Sequence, residues 1–331
     1  MFRVGIVGAG GIGNVHARQY RKRSDVELSV FDHSEGRARA FQERWDATPV
    51  DSFENLVRRV DVLDLSLPTP VHKDFALKAI AAGVPSLIEK PLARTLKDAV
   101  EIAEASRNAS VPIMAAHVVR FFPEYEAAKR VVASGGIGTP SAARARRGGG
   151  APSGADGWFM DHTKSGGPLL DLSIHDFDWL RWCLGEVKSL YSRTVGAQTE
   201  KGPDFALTTL TFESGCVAHV EGTWMDPGGF RTHFEIAGSK GLIQHESRNN
   251  IPLRTTIAPE KTEGAPLPNL DGNSTPKEDP YYLEIDGFLN AVKNGTELPV
   301  TLVDALSAVA IGEAAIESAK TGKVVAPERF A

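Results

Sequence analysis

"RVGIVGAGGIGNVHARQYRKR", Arg3 to Arg23, passes from a β-branched run into a basic helical run through Gly8-Ala9-Gly10-Gly11-Ile12-Gly13. A strand, a G-x-G-x-x-G and a helix in that order make a specific physical demand. The first glycine permits a tight turn, the second lets backbone approach a pyrophosphate, and the third lets helix and strand pack closely. The helix N-terminus then presents N–H groups to an anion. Gly8, Gly10, Gly11, Ile12 and Gly13 are therefore candidates for a dinucleotide loop. Three glycines alone also fit a plain strand-to-helix turn, and the second strand of the unit separates the two readings. That strand, "VELSVFD", ends in Asp32, 19 residues after Gly13. A carboxylate there can accept hydrogen bonds from the adenosine ribose and would repel a 2′-phosphate. NAD is favoured over NADP, with Arg37 near enough in sequence to soften the choice. Asp32 also suits the N-terminus of the helix that starts near Ser34.

The same rhythm runs to about Ala116. "VDVLDLSL", "PSLIEK" and "PIMAA" alternate with Ala-, Lys- and Glu-rich helical segments, which predicts a doubly wound parallel sheet. In "SLPTPVHKDFALKAIAAG", Pro68 and Pro70 stop a strand and shape a loop on the same rim as the glycine loop, where such sheets bind ligands. Ser66, Pro68, Thr69 and His72 are candidates to line the cofactor groove. For His72, bonding to backbone at the start of a helix is an equal alternative. "SLIEKPLA" puts Glu89 and Lys90 at the next strand end, and Pro91 biases Lys90 away from a helical conformation. Lysines usually end on solvated surface, but this rim position directs Lys90 toward the nicotinamide end of a dinucleotide.

Length and composition set the frame. A chain of 331 residues, 42% hydrophobic and 24% charged, is an ordinary globular chain long enough for two domains. Residues 1–118 read as the dinucleotide-binding domain and 119–331 as a substrate-binding and oligomerisation domain. A net charge of −5 argues against nucleic acid as a partner. Cys183 and Cys216 both sit in apolar stretches and suggest neither a disulfide framework nor a cysteine zinc site, which favours a reducing, cytoplasmic setting. The opening residues lack the features of a signal peptide, and no run reaches the ~18 apolar residues of a membrane span.

Past Arg120 the pattern changes. "SAARARR", "VKSLYSRTV", "DFALTTLTF", "CVAHVEGTWM", "FRTHFEIAG" and "GLIQHES" read as antiparallel strands with one polar face. Helices near Gly166 to Leu184 and Tyr282 to Asn294 would cover one side. The fold class is α/β plus α+β: a Rossmann sheet followed by a large open, mainly antiparallel sheet backed by helices. "GGGAPSGADGWFMDHTKSGG", Gly148 to Gly167, carries Trp158, Phe159 and Met160, more apolar content than a linker needs, and reads as a loop over a substrate pocket. The stretch from Arg248 to Pro280 reads as an irregular surface excursion.

In "GGPLLDLSIHDFDWLRW", Gly166 to Trp182, a helical rotation of about 100° per residue puts Asp171, His175 and Asp178 within about 60° of one another. Leu170, Ile174, Phe177 and Leu180 project to another side. A histidine there can take a proton near neutral pH, with Asp171 to orient it. A solvated i, i+4 pair is the plainer alternative. His162, Asp171 and His175 lack a dedicated zinc spacing, so no metal is expected.

Several of these stretches together resemble the glucose-fructose oxidoreductase and inositol dehydrogenase family (Gfo/Idh/MocA). They are "GIVGAGGIGNVHA", "PTPVHKDFALKAIAAGVPSLIEKPLA", "HVVRFFPEYEAAKRVVASGGIG", "SGGPLLDLSIHDFDWL" and "YYLEIDGFLNAVKNGTELPVTLVDALSAVAIGEAAIESAKTGKVV". They span nearly the whole chain in order, and E-K-P together with D-x-x-x-H is far more specific than the glycine loop. The resemblance implies NAD-dependent oxidation of a secondary hydroxyl of a sugar, inositol or related polyol. It assigns Lys90, Asp171 and His175 as the catalytic set. Arg120, Trp158, His162 and Asp178 are candidates to touch a polyhydroxy substrate, with bracing of the domain junction as the alternative for Arg120. The resemblance also implies a homodimer or homotetramer built through the open sheet face. The same scaffold hosts glycosidases that transiently oxidise a sugar, and a non-catalytic NAD sensor is a third reading. One departure is visible: many members carry three glycines before the helix, where this chain has Ser165-Gly166-Gly167-Pro168.

Overall fold

The computed structural model describes the chain apart from residues 153–154, 197–203, 227, 249–253 and 258–278. The first third forms β1 (Phe2–Val7), α1 (Gly11–Tyr20), β2 (Val26–Phe31), α2 (Glu35–Trp45), β3 (Thr48–Pro49), α3 (Phe53–Val57), β4 (Val62–Leu65), α4 (His72–Ala81), β5 (Ser86–Glu89), α5 (Leu96–Ala109) and β6 (Ile113–Ala116). All six strands are parallel, in the order β3-β2-β1-β4-β5-β6. A parallel sheet is covered on both faces, so its strands must be apolar throughout. Val4, Ile6 and Val7 of β1 and Val62, Leu63 and Leu65 of β4 are accordingly all buried. The sequence pattern exposed five of these strands; β3 is two residues long and leaves no periodic signal. The order reverses between β1 and β4, and the loops after these two strands open side by side at that switch point.

The core of this sheet recruits residues from far along the chain. Val4, Ile6, Leu28, Val30, Leu87 and Met114 pack with Ile285, Phe288 and Leu289 of the helix Pro280–Asn294. One compact unit therefore comprises Met1–Phe121, Glu278–Val309 and Phe330–Ala331, and the other Phe122–Lys277 with Ala310–Arg329. A single cut after residue 118 misses this, because the apolar face of the Pro280–Asn294 helix belongs to the first core although its sequence lies in the last sixth of the chain.

The second unit contains α6 (Pro123–Ala133), β7 (Pro140–Gly148), α7 (His162–Ser165), a π-helical turn (Leu169–Ser173) leading into α8 (Ile174–Leu184), and β8 (Val187–Val195), β9 (Phe205–Phe212), β10 (Val217–Thr223), β11 (Arg231–Gly238), β12 (Gly241–Glu246) and β13 (Arg254–Ile257). Seven strands form one sheet, β13-β12-β11-β7-β10-β9-β8, in which only β7 and β10 run parallel. β13 corrects the reading of its region as wholly irregular: "RTTI" pairs antiparallel with β12. Most of the remaining excursion lies outside the described residues.

Alternation along these strands sends Ala143, Ala145, Leu210, Val220, Phe234 and Ile236 inward, where α6 and α8 cover them. The rings of Tyr125, Trp179 and Phe234 meet there with centroids 4.5 to 5.0 Å apart. Arg147 of β7 enters the same layer and forks onto Asp176 of α8 at 2.9 and 3.1 Å, and it also donates to the Tyr125 hydroxyl at 3.1 Å. A buried ion pair stabilises little by itself, but removing one partner leaves a charge in a dry interior. Arg147 therefore fixes which way α8 faces. The outer face of the sheet leaves Tyr191, Leu207 and Val217 exposed beside the pairs Arg144–Glu235 and Arg146–Glu221.

The expected continuous helix from Gly166 to Leu184 begins instead with the π turn, where hydrogen bonds reach one residue further and the 100° spacing fails. Its bed is β10. A Cβ at Gly222 would overlap Ser173 Oγ and stand 3.3 Å from the Pro168 carbonyl oxygen, so a larger residue there requires the Ser173 side chain to shift and crowds the turn. Gly222→Ala is expected to destabilise the protein by about 1 to 3 kcal/mol through overpacking, read as a lower urea midpoint. Unchanged stability would show that the π turn does not depend on that approach.

Candidate functional site

In the first unit the glycine loop is built by backbone contact. A Cβ at Gly8 would overlap the Ser66 carbonyl and one at Gly13 the Gly8 carbonyl, whereas Gly10 and Gly11 have open space where a side chain would start. Gly10 caps α1 with no side-chain hydrogen bond, which leaves the first N–H groups of α1 without a side-chain acceptor. Asn14 braces the loop from within, donating to the carbonyls of Gly10 and Ala9 at 2.8 and 3.1 Å, and is itself held by the Trp45 indole at 2.8 Å.

Asp32 stands at the end of β2 and reaches back to this loop. It accepts from the Ala9 N–H at 2.9 Å and the Ser34 N–H at 2.8 Å, and Arg37 bonds it at 2.9 Å. Burial alone would raise its pKa, but Arg37 and the two backbone donors together hold it below the usual carboxylate range. Asp32 is thus a fixed negative charge beside the loop.

The loop after β4 carries Ser66, buried, Pro68, exposed, and Thr69, buried at the start of a 3-10 turn. His72 is fully buried, with Nδ1 and Nε2 each 2.8 Å from a carbonyl oxygen, those of Pro91 and Leu67. Burial holds its pKa below the ordinary histidine value against the pull of both carbonyls. The placement gives His72 a bracing role between two rim loops, because no part of it reaches the surface to line a groove. Glu89 and Lys90 are half-buried at the end of β5, and Glu89 accepts the Lys90 backbone N–H at 3.1 Å. Arg120 is buried and donates to Asp304 at 3.1 Å. Asp304 and Thr301 cap each other at the start of the helix Leu302–Thr321. Burial alone would raise the Asp304 pKa, and Arg120 with the Thr301 donors pulls it well below the usual range. That pair lies within the first unit and holds Arg120 against the start of the Leu302–Thr321 helix.

Beneath the loop lies a polar cluster that the motifs did not reveal. Asp64, in the middle of the apolar strand β4, receives His16 Nδ1 at 2.9 Å, the Tyr20 hydroxyl at 3.0 Å and the Ser66 hydroxyl at 2.7 Å. On its other side, His16 Nε2 lies 3.4 Å from Glu89 Oε1. Glu284, from the Pro280–Asn294 helix, is fully buried, and neither of its oxygens has a hydrogen-bond partner among the described residues. Burial, against the opposing pull of His16 and with Glu89 and Asp64 nearby, raises its pKa well above the usual value, which favours the neutral acid. The one signal in the sequence was the aspartate interrupting "VLDL".

In the second unit, the π turn and the start of α8 present Asp171 and His175 half-buried, while Leu170, Ile174, Phe177 and Leu180 are fully enclosed. Asp178, expected on the same stripe, is buried: it lies on α8 with His175, and the Arg147–Asp176 pair fixes the face that this helix turns inward. Asp171 Oδ2 accepts the buried Trp224 indole N–H at 3.1 Å, a partner no motif indicated. His162 meets the Trp224 ring edge-on at 5.6 Å, and Trp158 stacks on Phe159 at 3.9 Å. Ser165, at the departure from three glycines, donates to the Phe159 carbonyl at 2.7 Å and accepts the Gly167 N–H at 3.0 Å, a bridge glycine cannot make. Among the described residues, no group of three or more His, Cys, Asp or Glu side chains is placed to hold a metal ion. No helix among them is long and apolar enough to cross a membrane.

A dinucleotide-binding sheet followed by an open mixed sheet, with a lysine at a rim strand end and an Asp-His pair on a π-entered helix, defines the class. Residues 2–117 match the oxidoreductase family, NAD-binding Rossmann fold, and residues 125–244 match the GFO/IDH/MocA C-terminal domain. The chain belongs to the GFO/IDH/MocA oxidoreductase family. It is 30% identical to the 1,5-anhydro-D-fructose reductase of Ensifer adhaerens over 98% of each chain. It is 29% identical to the scyllo-inositol 2-dehydrogenase (NAD(+)) of Bacillus subtilis strain 168, over 98% of this chain and 95% of that one. Among solved structures it is similar to GenD2 from gentamicin A biosynthesis in complex with NAD, with a TM-score of 0.86 and 25% identity, over 99% of this chain and 96% of that one. The open glycines, the uncapped helix start and the charged Asp32 fit NAD as the cofactor.

Replacing the fixed charge changes which cofactor is accepted. Asp32→Ala is expected to weaken NADH and tighten NADPH, shifting the ratio of dissociation constants by about tenfold or more, as fluorescence titration would measure. An unchanged ratio would remove Asp32 from cofactor discrimination.

Proposed function

We propose that the protein moves a hydride between a secondary hydroxyl of a sugar, inositol or related polyol and the nicotinamide of NAD. The observation that carries the reading is the half-exposure of Asp171 and His175 on a turn whose other side chains are enclosed, together with Lys90 on the rim that also bears the glycine loop and Asp32. A solvated surface pair needs no π turn and no buried tryptophan donor. The activities of the reductase and dehydrogenase relatives support the same substrate class.

The glycine loop and the N-terminus of α1 hold the pyrophosphate, and Asp32 accepts from the adenosine ribose. Thr69 and Pro68 line the same rim. NAD, when bound, supplies the two-electron acceptor. His175 takes the hydroxyl proton as the carbon–hydrogen bond gives up its electron pair, and it returns that proton in the reductive direction. Lys90 stabilises the negative charge that develops on the substrate oxygen. Asp171, held by Trp224, orients the histidine and the substrate hydroxyl. Trp158 and His162 complete the proposed substrate contacts, and the outer face of the seven-stranded sheet, with Tyr191, Val195, Leu207 and Val217 exposed, supports assembly as a dimer or tetramer.

A panel of polyols, inositols and aldoses assayed for NADH formation tests the activity. Lys90→Ala and His175→Ala are each expected to lower kcat by about 100-fold or more while NADH still binds. Full turnover in both variants would overturn the mechanism, and glycoside cleavage without net NADH would move the reading to transient oxidation. A monomer mass by light scattering would exclude the proposed assembly.

A further inference from the structure

His16 is the histidine of "GNVHA", on the inner face of α1, and the proposed hydride transfer makes no use of it. It is fully buried, and a carboxylate oxygen faces each of its ring nitrogens. Nδ1 lies 2.9 Å from Asp64 Oδ2, on β4, and Nε2 lies 3.4 Å from Glu89 Oε1, at the end of β5. A neutral imidazole has one N–H and one lone pair, so it can satisfy one carboxylate and must turn a lone pair on the other. Two flanking carboxylates, one hydrogen-bonded at Nδ1 and one within ion-pair distance of Nε2, therefore favour the charged ring, as the neutral carbonyls around His72 do not. Asp64 also accepts from Ser66, and the other oxygen of Glu89 accepts the Lys90 backbone N–H.

We propose that His16 is a positioning residue for the dinucleotide site: its imidazole ties the glycine-loop helix, the Ser66 loop and the Glu89–Lys90 strand end into the one arrangement that binds NAD. These three segments come after β1, β4 and β5 or at their ends, and the three strands lie side by side in the sheet. The β1–β4 and β4–β5 ladders hold the strands themselves, and His16 adds a side-chain link from the helix after β1 to Asp64 on β4 and to Glu89 at the end of β5. The inference concerns NAD binding and stands whatever the substrate is.

The groups that face His16 set the pH behaviour. They are Asp64 from β4 with Ser66 just after it, Glu89 from β5, Glu284 and Tyr281 from the Pro280–Asn294 helix, and Tyr20 from α1 itself. Burial by itself would lower the histidine pKa, but Asp64 and Glu89 together raise it well above the ordinary value. The charged ring is thus favoured, and it is lost as pH rises through that raised value. Without it, the two acidic side chains that His16 links have no charged donor between them, and like charges so placed disfavour double ionisation.

The test is fluorescence titration of NADH onto the full-length protein between pH 6 and 8.5. The unsubstituted protein is expected to bind with nearly constant affinity. His16→Gln, which keeps a hydrogen-bonding side chain without the charge, is expected to bind about tenfold more weakly at pH 8.5 than at pH 6, as the shared proton is lost. Adding Asp64→Asn to His16→Gln removes one of the two like charges and is expected to flatten the profile. If His16→Gln matches the unsubstituted protein at every pH, or weakens equally at every pH, the proposal fails, because a general packing defect has no reason to titrate. Should the variant not fold, ring-15N labelling of the nine histidines in the unsubstituted protein decides instead. One imidazole is expected to stay doubly protonated at pH 8.5, and finding all nine neutral overturns the proposal.

Discussion

Backbone meeting backbone at Gly8 and Gly13 is the constraint on which the first unit depends. Where Gly8 passes the Ser66 carbonyl and Gly13 passes the Gly8 carbonyl, there is no room for a Cβ. Because α1 can come this close to β1, its N–H groups point out over the loop while its inner face presses onto the sheet. That inner face delivers His16 and Tyr20 to Asp64. The close approach at Gly8 and Gly13 thus also closes a polar cluster beneath the loop, while Gly10 and Gly11 stay open above it. A buried carboxylate without donors would be costly, and Asp64 is tolerated in the middle of an apolar strand because three side chains reach it.

The second unit solves a different problem, that of keeping two polar side chains near the surface on a helix whose remaining residues are enclosed. Arg147 and Asp176 lock the orientation of α8, and the Tyr125, Trp179 and Phe234 rings fill the layer around them. Gly222 then admits the π turn, which inserts extra rotation just before the locked segment. The turn also brings Asp171 onto the Trp224 indole. A regular helix from Gly166 onward would have placed Asp171 in a different phase relative to His175, so the irregular turn is part of how the pair is arranged.

Environment, more than residue type, separates the carboxyl groups of the first unit. Guanidinium and backbone donors hold the Asp32 pKa below the usual range, whereas burial, with acidic groups nearby, pushes that of Glu284 well above it. Asp32 can therefore act as a charge that a ribose hydroxyl meets, and Glu284 cannot. Nothing in the local sequence around either residue distinguishes them.

What the sequence determined by itself was the periodic part of the protein: the parallel sheet from β-branched runs and glycine loop, six of the seven strands of the open sheet from alternation, and the rim positions of Asp32 and Lys90. These come from short-range rules, since a period of two or 3.6 residues and the steric freedom of glycine act within a few residues. Tertiary structure decided the rest. The Pro280–Asn294 helix joined the first core through an apolar face that could have packed on either unit. Asp178 went inside although its spacing matched Asp171 and His175, because a distant arginine set the face of α8. His16, Asp64, Glu89 and Glu284 became one cluster although up to 268 positions separate them in the chain. Each of those outcomes depends on which groups share a dry interior, where a charge must find its partner in space, and sequence distance carries no information about that.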